Sequence, residues 1–247
     1  MFCFTIYQKS ILFLFILHLN CFSLEGSNSL KLVTGNDYSP YSDEKLKDGG
    51  IFSSIVKKIL IKLNISYTLD FLPWARGYDM VKNSKYDATF PYVLTKERSL
   101  EVNFSKVSLV EIKSYIFTNN KNKINIEDFK GSIYCHSLGY FIEKPIQKIL
   151  EYNETKKIQK FDQLSCINSI INFESDFTVL NDDQYNQYKK MKIKNFNVIN
   201  KVDILININN LYIAFRKDIN GDIIKKFDEE AKNYIKTDEY NKIRYQN

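Results

Sequence analysis

Apolar and polar positions in the first part of the chain predict strands and helices in alternation. Residues 30–35 form a short apolar strand, and the apolar side chains of 51–63 recur at helical spacing, with lysines on the opposite face. Residues 67–71 alternate as a second strand, and 73–81 form a short helix before a third strand at 86–90. This order predicts a parallel sheet covered by helices on both faces.

The rest of the chain repeats the alternation after a long extended run. We expect a loop with Thr95, Glu97 and Arg98 after the third strand, and an acidic turn at 181–183. The carboxyl-terminal tail holds two helical patterns, which we expect to pack on the first part of the chain. The predicted extended segments are 107–119, 132–135, 158–161, 176–180, 195–206 and 211–215, and the predicted helices are 144–152, 163–173 and two within 223–245.

The amino-terminal residues have the pattern of a secretory signal. Lys9 precedes the apolar run 10–19, and small residues follow at Cys21 and Ser23. The run is too short to span a bilayer, and we expect cleavage near Ser23, so that 1–23 is a signal peptide. The residues before Cys21 are a poor match to a lipoprotein signal, so we expect export without a lipid anchor.

Charge and catalytic motifs exclude several classes of function. The net charge of +6 comes from basic residues that are interleaved with acidic ones, a pattern typical of a solvated surface and not of a nucleic-acid site. The sequence has no GxSxG or HExxH motif, and His136 is the one histidine after the signal segment. His136 beside Ser137 leaves a general base open, but we predict a protein that is not an enzyme and has no cofactor or metal.

The most informative segment, 71–105, reads FLPWARGYDMVKNSKYDATFPYVLTKERSLEVNFS. Its YDATFPYVLTKERSLEVNFS part resembles a signature of bacterial extracellular solute-binding proteins of the amino-acid-binding type, also called type II periplasmic binding proteins. The preceding PWARGYDMV resembles the PWxR variant of that family. The order and spacing of the predicted elements agree with the family beyond this segment.

The resemblance implies an α/β fold of two lobes. Each lobe would be a mostly parallel sheet flanked by helices, and two crossings of the chain would form a hinge between them. Lobe 1 would comprise 28–109 and 211–247, and lobe 2 would comprise 110–210.

The resemblance also implies ligand contacts at the carboxyl edges of the strands. Thr95 and Arg98 of the TxER motif would grip a carboxylate of the ligand. Asp37 and Tyr38 lie in the first loop of the fold, where an Asx turn is the alternative role for Asp37. The other expected contacts are Trp74, Arg76, Phe90, Tyr92, His136, Gly139, Tyr140 and Asp182.

Two of these assignments leave alternatives open. Family members often hold a ligand's amino group where this chain has Asp182 or Asp183, yet both are also ordinary solvated acids of a turn. Arg76 lies near a helix start, where it either contacts an anion or forms a salt bridge with Asp79 or Asp87.

The loop before TxER departs from the family. The serines common there in amino-acid-binding members are replaced by FPYV, which leaves open whether the ligand is a standard α-amino acid.

Cys135 and Cys166 are the cysteines that remain after the signal segment. In an oxidising compartment, a pair without CxxC spacing or clustered histidines favours a disulfide over a redox or metal site. Members of the resembling family often carry cysteines in these two places, and we predict a Cys135–Cys166 bond.

The functional hypothesis is a monomeric periplasmic protein that binds a small, polar or carboxylate-bearing, amino-acid-like solute in the cleft between its lobes. A membrane ABC permease would be its partner. The alternatives are a dehydratase-like enzyme on the same fold and a periplasmic sensor module.

Overall fold

A computed structural model of the protein describes residues 29–152 and 154–245, so the predicted signal peptide lies outside the described residues. The strands are β1 Ser29–Thr34, β2 Ser66–Phe71, β3 Ala88–Val93, β4 Asn103–Phe104, β5 Val110–Thr118, β6 Ile133–Ser137, β7 Lys156–Lys160, β8 Phe177–Asn181 and β9 Asn200–Phe215. The helices are α1 Ile51–Lys62, α2 Trp74–Lys82, α3 Lys96–Glu101, α4 Lys144–Leu150, α5 Gln163–Ile171, α6 Asp182–Lys190, α7 Gly221–Tyr234 and α8 Asp238–Tyr245.

The strands form one sheet in the order β2-β1-β3-β9-β5-β8-β6-β7, and β4 also pairs with β9. β1 is parallel to β2 and β3, and β6 is parallel to β7 and β8. The long strands β5 and β9 pair antiparallel with each other and with their other neighbours, so they join the two parallel groups. The mixed α/β fold with a sheet flanked by helices is therefore confirmed.

Buried apolar side chains collect on both sides of the central strands. The largest cluster packs α1 and α7 against the first parallel group, with Phe52, Phe215 and Phe227 fully buried. Other clusters pack α4, α5 and α6 against the second group.

We call residues 29–109 and 211–245 the first half, and 110–210 the second half. Val110 and Ile112, at the start of the second half, still pack in the first cluster, so the change of core along β5 lies beyond residue 112. The division into two lobes that move stays a prediction.

Two predicted loops are in fact short helices. Thr95 caps α3 by accepting a hydrogen bond from the Arg98 backbone N–H at 3.2 Å. Asn181 caps α6 by accepting from the Gln184 backbone N–H at 2.9 Å, so Asp182 begins a helix and is not in a turn. Both helices are short and polar, so their capping hydrogen bonds define them where hydrophobic periodicity does not. The predicted segments 195–206 and 211–215 belong to one strand, β9.

The predicted disulfide is present. Cys135 of β6 and Cys166 of α5 are bonded, with Cα atoms 5.5 Å apart and both side chains fully buried. The bond therefore ties a helix to the strand it covers. Among the described helices, none has both the length and the apolar character needed to cross a membrane.

Candidate functional site

A cavity lies between the two halves. Its volume is about 80 Å³, counted as the space that the centres of water molecules can occupy. That space suits several waters or one small solute. Its lining from the first half is Tyr38, Trp74, Pro91, Tyr92, Val93, Arg98 and Leu211. Its lining from the second half is Ile112, Ser114, Tyr134, His136, Gly139, Tyr140, Phe141, Glu143, Gln163, Val179, Leu180, Asn181, Gln184 and Asn209.

Arg98 brings a positive charge to the cavity from the first turns of α3. Its Nη1 donates to the Val93 backbone carbonyl at 3.1 Å, and its guanidinium carbon lies 4.9 Å from the centre of the Tyr92 ring. Burial lowers the pKa of Arg98, but a guanidinium remains charged in proteins. Among the described residues, no carboxylate forms an ion pair with Arg98. The cation is thus stacked and oriented without a counter-ion.

Four aromatic rings form one wall of the cavity. The Tyr38 ring lies edge-on to Trp74 and Tyr140, at centroid distances of 6.0 and 5.5 Å. Trp74 is also edge-on to Tyr92 at 5.9 Å and to Tyr140 at 6.3 Å. These distances are typical of favourable edge-to-face aromatic pairs. Since Tyr140 comes from the second half, the wall crosses the boundary between the halves.

The polar atoms of three of these four rings bond to the backbone. Trp74 Nε1 donates to the Asn36 carbonyl at 2.9 Å, and the Tyr92 hydroxyl donates to the Trp74 carbonyl at 3.0 Å. The Tyr140 hydroxyl donates to the Asp37 carbonyl at 3.0 Å, a bond between the halves. The rings are therefore held in place and present mainly apolar surface to the cavity.

Gly139 permits the close approach of the halves at this wall. Its φ of +84° lies in the left-handed region, and a Cβ atom there would be 2.8 Å from the Trp74 Cβ. A side chain at this position would clash with α2 and strain the loop.

Glu143 supplies the carboxylate of the cavity. It is 5% exposed and stands immediately before α4. Its Oε1 accepts from Asn209 Nδ2 at 3.2 Å, and the same Nδ2 group lies 3.0 Å from Ser114 Oγ. Its Oε2 is buried with no hydrogen-bond partner. Burial raises the pKa of Glu143.

Gln184 adds an unpaired donor to the same cavity. Its Oε1 accepts from Asn181 Nδ2 at 2.9 Å, whereas its buried Nε2 has no partner. Neither Glu143 nor Gln184 is among the site residues predicted from the sequence. Their sequence signals are weak: Glu143 follows the apolar run YFI at a helix start, and Gln184 reads as the third residue of a capping box.

His136 lines the cavity in an uncharged state at neutral pH. It is 6% exposed, and its Nδ1 lies 3.4 Å from the Tyr134 hydroxyl. Burial lowers the pKa of His136 to about 4. The imidazole is thus a neutral hydrogen-bonding group above that pH.

The structure brings seven of the predicted site residues together. These are Tyr38, Trp74, Tyr92, Arg98, His136, Gly139 and Tyr140. Thr95 contributes indirectly, because its capping bond positions the Arg98 backbone. Asp37 also acts indirectly, through the carbonyl that accepts from Tyr140.

The three remaining predicted residues lie outside the cavity. Phe90 is fully buried in the core and stacks on Phe52 at 5.6 Å. Arg76 is exposed on α2 and does not line the cavity. Asp182 is 46% exposed and pairs with Lys201, since the start of α6 turns its side chain to the surface.

A second set of contacts joins the halves beside α8. The buried Tyr41 of the first half donates its hydroxyl to Asp183 Oδ2 of the second half. Arg244 of α8 donates from Nη1 to the same oxygen at 3.1 Å and from Nη2 to the Glu111 carbonyl at 3.1 Å. We call Tyr41, Asp183 and Arg244 the latch triad.

Solved structures share this fold over most of the chain. An ancestral arginine-binding protein bound to arginine superposes with a TM-score of 0.77 at 19% identity, covering 89% of this chain and 97% of that one. The substrate binding protein of an amino acid ABC transporter gives a TM-score of 0.74 at 17% identity, with 89% and 100% covered. An ancestral amino acid-binding protein, a precursor of cyclohexadienyl dehydratase, gives a TM-score of 0.74 at 19% identity, with 89% and 95% covered.

One curated protein matches part of the sequence. The cGMP-specific 3',5'-cyclic phosphodiesterase gamma of Plasmodium yoelii is 31% identical over 131 residues, which are 47% of this chain. The chain spans only 16% of the length of that protein, so the match is local. The family model described as bacterial extracellular solute-binding proteins, family 3, instead matches residues 30–246. The matched region contains every described element from β1 to α8 except the first residue of β1, and the chain therefore belongs to the bacterial extracellular solute-binding proteins of family 3.

Proposed function

We propose that this protein captures a small carboxylate-bearing solute in the cavity between its halves and delivers it to a membrane ABC permease. The observation that carries this proposal is Arg98, a half-buried cation that lines an aromatic cavity and has no ion-pair partner among the described residues. Removing part of a charge's hydration without supplying a partner is costly, so an anionic ligand would supply the missing interaction.

The chemistry of Arg98 favours a carboxylate. A guanidinium offers a planar fork of donors that matches two carboxylate oxygens. Each charged hydrogen bond contributes roughly 1.5–3 kcal/mol when water is excluded. The rings of Trp74, Tyr38 and Tyr92 would enclose the apolar part of the solute. The structurally similar proteins include an arginine-binding protein and the substrate binding protein of an amino acid ABC transporter, which supports an amino-acid-like ligand.

Binding would be coupled to closure of two lobes. In this proposal, lobe 1 comprises 28–109 and 211–247, lobe 2 comprises 110–210, and β5 and β9 contain the two crossings. Because the cavity takes its lining from both halves, a ligand there contacts both lobes only when they are closed. Its differential contacts would shift the population to the closed form, which a permease would recognise.

The proposed setting is the periplasm, reached by means of the signal peptide at 1–23. There the protein would act as a monomer that binds neither nucleic acid nor a cofactor. The oxidising conditions of that compartment agree with the Cys135–Cys166 bond.

A thermal-shift panel of amino acids, small carboxylates, amines and short peptides tests this function. A ligand at a hundred times its dissociation constant should stabilise the oxidised protein by about 2.7 kcal/mol. We expect carboxylates to stabilise the wild type and Lys96→Ala, an exposed position on the same helix as Arg98, but not Arg98→Ala. Equal stabilisation of Arg98→Ala would contradict the proposal, as would a panel in which no carboxylate shifts the wild type.

The rival function is an enzyme of the dehydratase type. It is favoured by Glu143, a cavity carboxyl whose pKa burial raises, because raising the pKa of a carboxyl group favours its protonated form, which can act as a general acid. The family consists of binding proteins, which favours binding alone. NMR of each stabilising acid after prolonged incubation separates the two: an unchanged spectrum supports binding, and a product signal supports the enzyme.

A further inference from the structure

A second and larger cavity lies beside α1 and α8, apart from the cavity between the halves. Its volume, counted in the same way, is about 620 Å³, and cavities of this size commonly bind small molecules. Gln187 of α6 lines it from the second half, and among the described residues the two cavities share no lining residue. We call it the lysine groove, because Lys47, Lys57, Lys58 and Lys242 line it.

The charged lining of the lysine groove is mainly basic. Its four lysines come from the segment before α1, from α1 and from α8, and they face two acidic residues. The described lining therefore carries a net charge of +2 at neutral pH. Its charged residues are Lys47, Lys57, Lys58, Lys242, Asp48 and Glu239.

One of the four lysines is neutralised within the protein. Lys58 Nζ forms an ion pair with Glu239 Oε1 at 2.7 Å, a contact that joins α1 to α8. Lys57 Nζ instead donates to the Asp48 backbone carbonyl at 2.9 Å, which positions the ammonium group but leaves its charge uncompensated. Both ammonium groups are thus held in place in the groove.

The other two lysines form no ion pair with any described residue. Lys47 belongs to the segment before α1 and Lys242 to α8, so each of these elements brings an uncompensated charge. Together with Lys57 they gather three positive charges in one depression. Like charges repel one another, and an anion placed among them would replace that repulsion with attraction.

Apolar side chains lie beside these charges. Ile51 of α1 is buried, whereas Ile61 of the same helix is 58% exposed. Leu46 and Ile243 are half-buried in the same lining. A ligand with an apolar body would gain free energy by covering these side chains.

We propose that the lysine groove is a second binding site, which takes an organic phosphate whose phosphate contacts the lysines and whose apolar body contacts the isoleucines. A lysine ammonium binds phosphate as a point charge. Three lysines without a carboxylate partner suit a phosphate monoester, which carries nearly two negative charges at neutral pH. The site goes beyond the proposed function, because it lies outside the cavity that would hold the transported solute.

The test uses three probes that separate the charge from the apolar body. They are 1-naphthyl phosphate, inorganic phosphate and 1-naphthol, which is uncharged near neutral pH. Titration calorimetry would compare the wild type, the pair Lys47→Ala with Lys242→Ala, and the control pair Lys121→Ala with Lys156→Ala. Both control lysines are exposed in the second half and do not line the groove, so the two pairs remove the same net charge.

We expect 1-naphthyl phosphate to bind the wild type and the control pair at one saturable site, about ten times or more tightly than either other probe. Lys47→Ala with Lys242→Ala should weaken this binding at least about tenfold. Equal binding to the two pairs would assign the probe to general surface charge and overturn the inference. A wild type that shows no saturable binding of 1-naphthyl phosphate would overturn it as well.

Two further variants locate the probe. Ile61→Ser, at an exposed position, should weaken binding of 1-naphthyl phosphate, and an unchanged affinity would contradict the apolar contact. Arg98→Ala should leave this binding unchanged, since Arg98 lines the cavity between the halves. If Arg98→Ala abolishes binding of the probe and the groove pair keeps it, the probe occupies that cavity, so the groove site is wrong while the proposed function stands.

Discussion

His136 and Glu143 line one cavity, and burial shifts their pKa values in opposite directions. For His136 the pKa falls to about 4, so the folded protein binds fewer protons than the unfolded chain between that pH and the ordinary value near 6.5. For Glu143 the pKa rises. Just above the ordinary pKa of a glutamate, the folded protein therefore binds more protons at this residue than the unfolded chain does. The two residues therefore make opposing contributions to stability in weak acid.

The contribution of His136 is measurable. Its neutral form stabilises the fold above pH 6.5, and this stabilisation is lost as pH falls towards about 4. The measurement uses the Glu143→Gln variant, because this substitution removes the opposing contribution of Glu143. Between pH 6.5 and about 4, we expect this variant to lose up to roughly 3 kcal/mol of unfolding free energy through protonation of His136 in the unfolded chain. The double variant Glu143→Gln with His136→Gln should lose correspondingly less, as urea unfolding at several pH values would show. Identical pH profiles would contradict the assigned pKa of His136.

Some residues of the site can be predicted from the sequence and others cannot. Arg98, Trp74 and Tyr38 were predicted because motif order and strand ends place them at one edge of the sheet. Glu143 and Gln184 were missed because the lack of a partner depends on packing that a linear pattern does not contain. Phe90 was assigned to the cavity, yet successive strand residues face opposite sides and its side chain enters the core.

At the scale of elements, the disulfide joins α5 to β6 beneath the cavity. His136 and Ser137 follow Cys135 directly, and Ser137 Oγ donates to Gln163 Oε1 of α5 at 2.7 Å. The bond links two residues with a sequence separation of 31, so it reduces the number of conformations open to the unfolded chain. It also holds the strand that supplies part of the cavity lining.

Removal of the disulfide should destabilise the protein without abolishing the fold. For the variant with Cys135→Ala and Cys166→Ala we expect a loss of about 2–4 kcal/mol in the free energy of unfolding. Urea unfolding of the oxidised wild type, the reduced wild type and the variant measures this loss. Equal midpoints for the oxidised and reduced wild type would contradict a stabilising role.

The order of strands and most helices followed from hydrophobic periodicity, because those elements bury one face in a core. The helices α3 and α6 did not, because both are short and mainly polar. Their capping residues, Thr95 and Asn181, were visible in the sequence. A polar cap also begins many turns, so it does not by itself distinguish a turn from a helix.

At the scale of the whole molecule, the latch triad and the aromatic wall hold the halves together at separate places. Arg244 is only 11% exposed in its side chain and bonds Asp183, while Tyr41 bonds the same carboxylate. These residues do not line the cavity. In the closure that we propose, they would therefore favour the closed form without touching the ligand.

Breaking the latch should weaken binding through closure. We expect Asp183→Asn to lower ligand affinity several-fold, mainly by faster dissociation, and to increase the radius of gyration of the liganded protein in X-ray scattering. The adjacent Asp182 pairs with Lys201 at the surface, and Asp182→Asn should leave both quantities unchanged. Equal behaviour of the two variants would show that the latch has no part in closure.

The central claim is that Arg98 binds the carboxylate of a solute between the halves. The most direct measurement is titration calorimetry of the best-stabilising carboxylate with the wild type, Arg98→Ala and Lys96→Ala. Loss of two charged hydrogen bonds should weaken the affinity of Arg98→Ala by about 3 kcal/mol, roughly a hundredfold, and leave Lys96→Ala like the wild type. An Arg98→Ala variant that binds as tightly as the wild type would contradict the account.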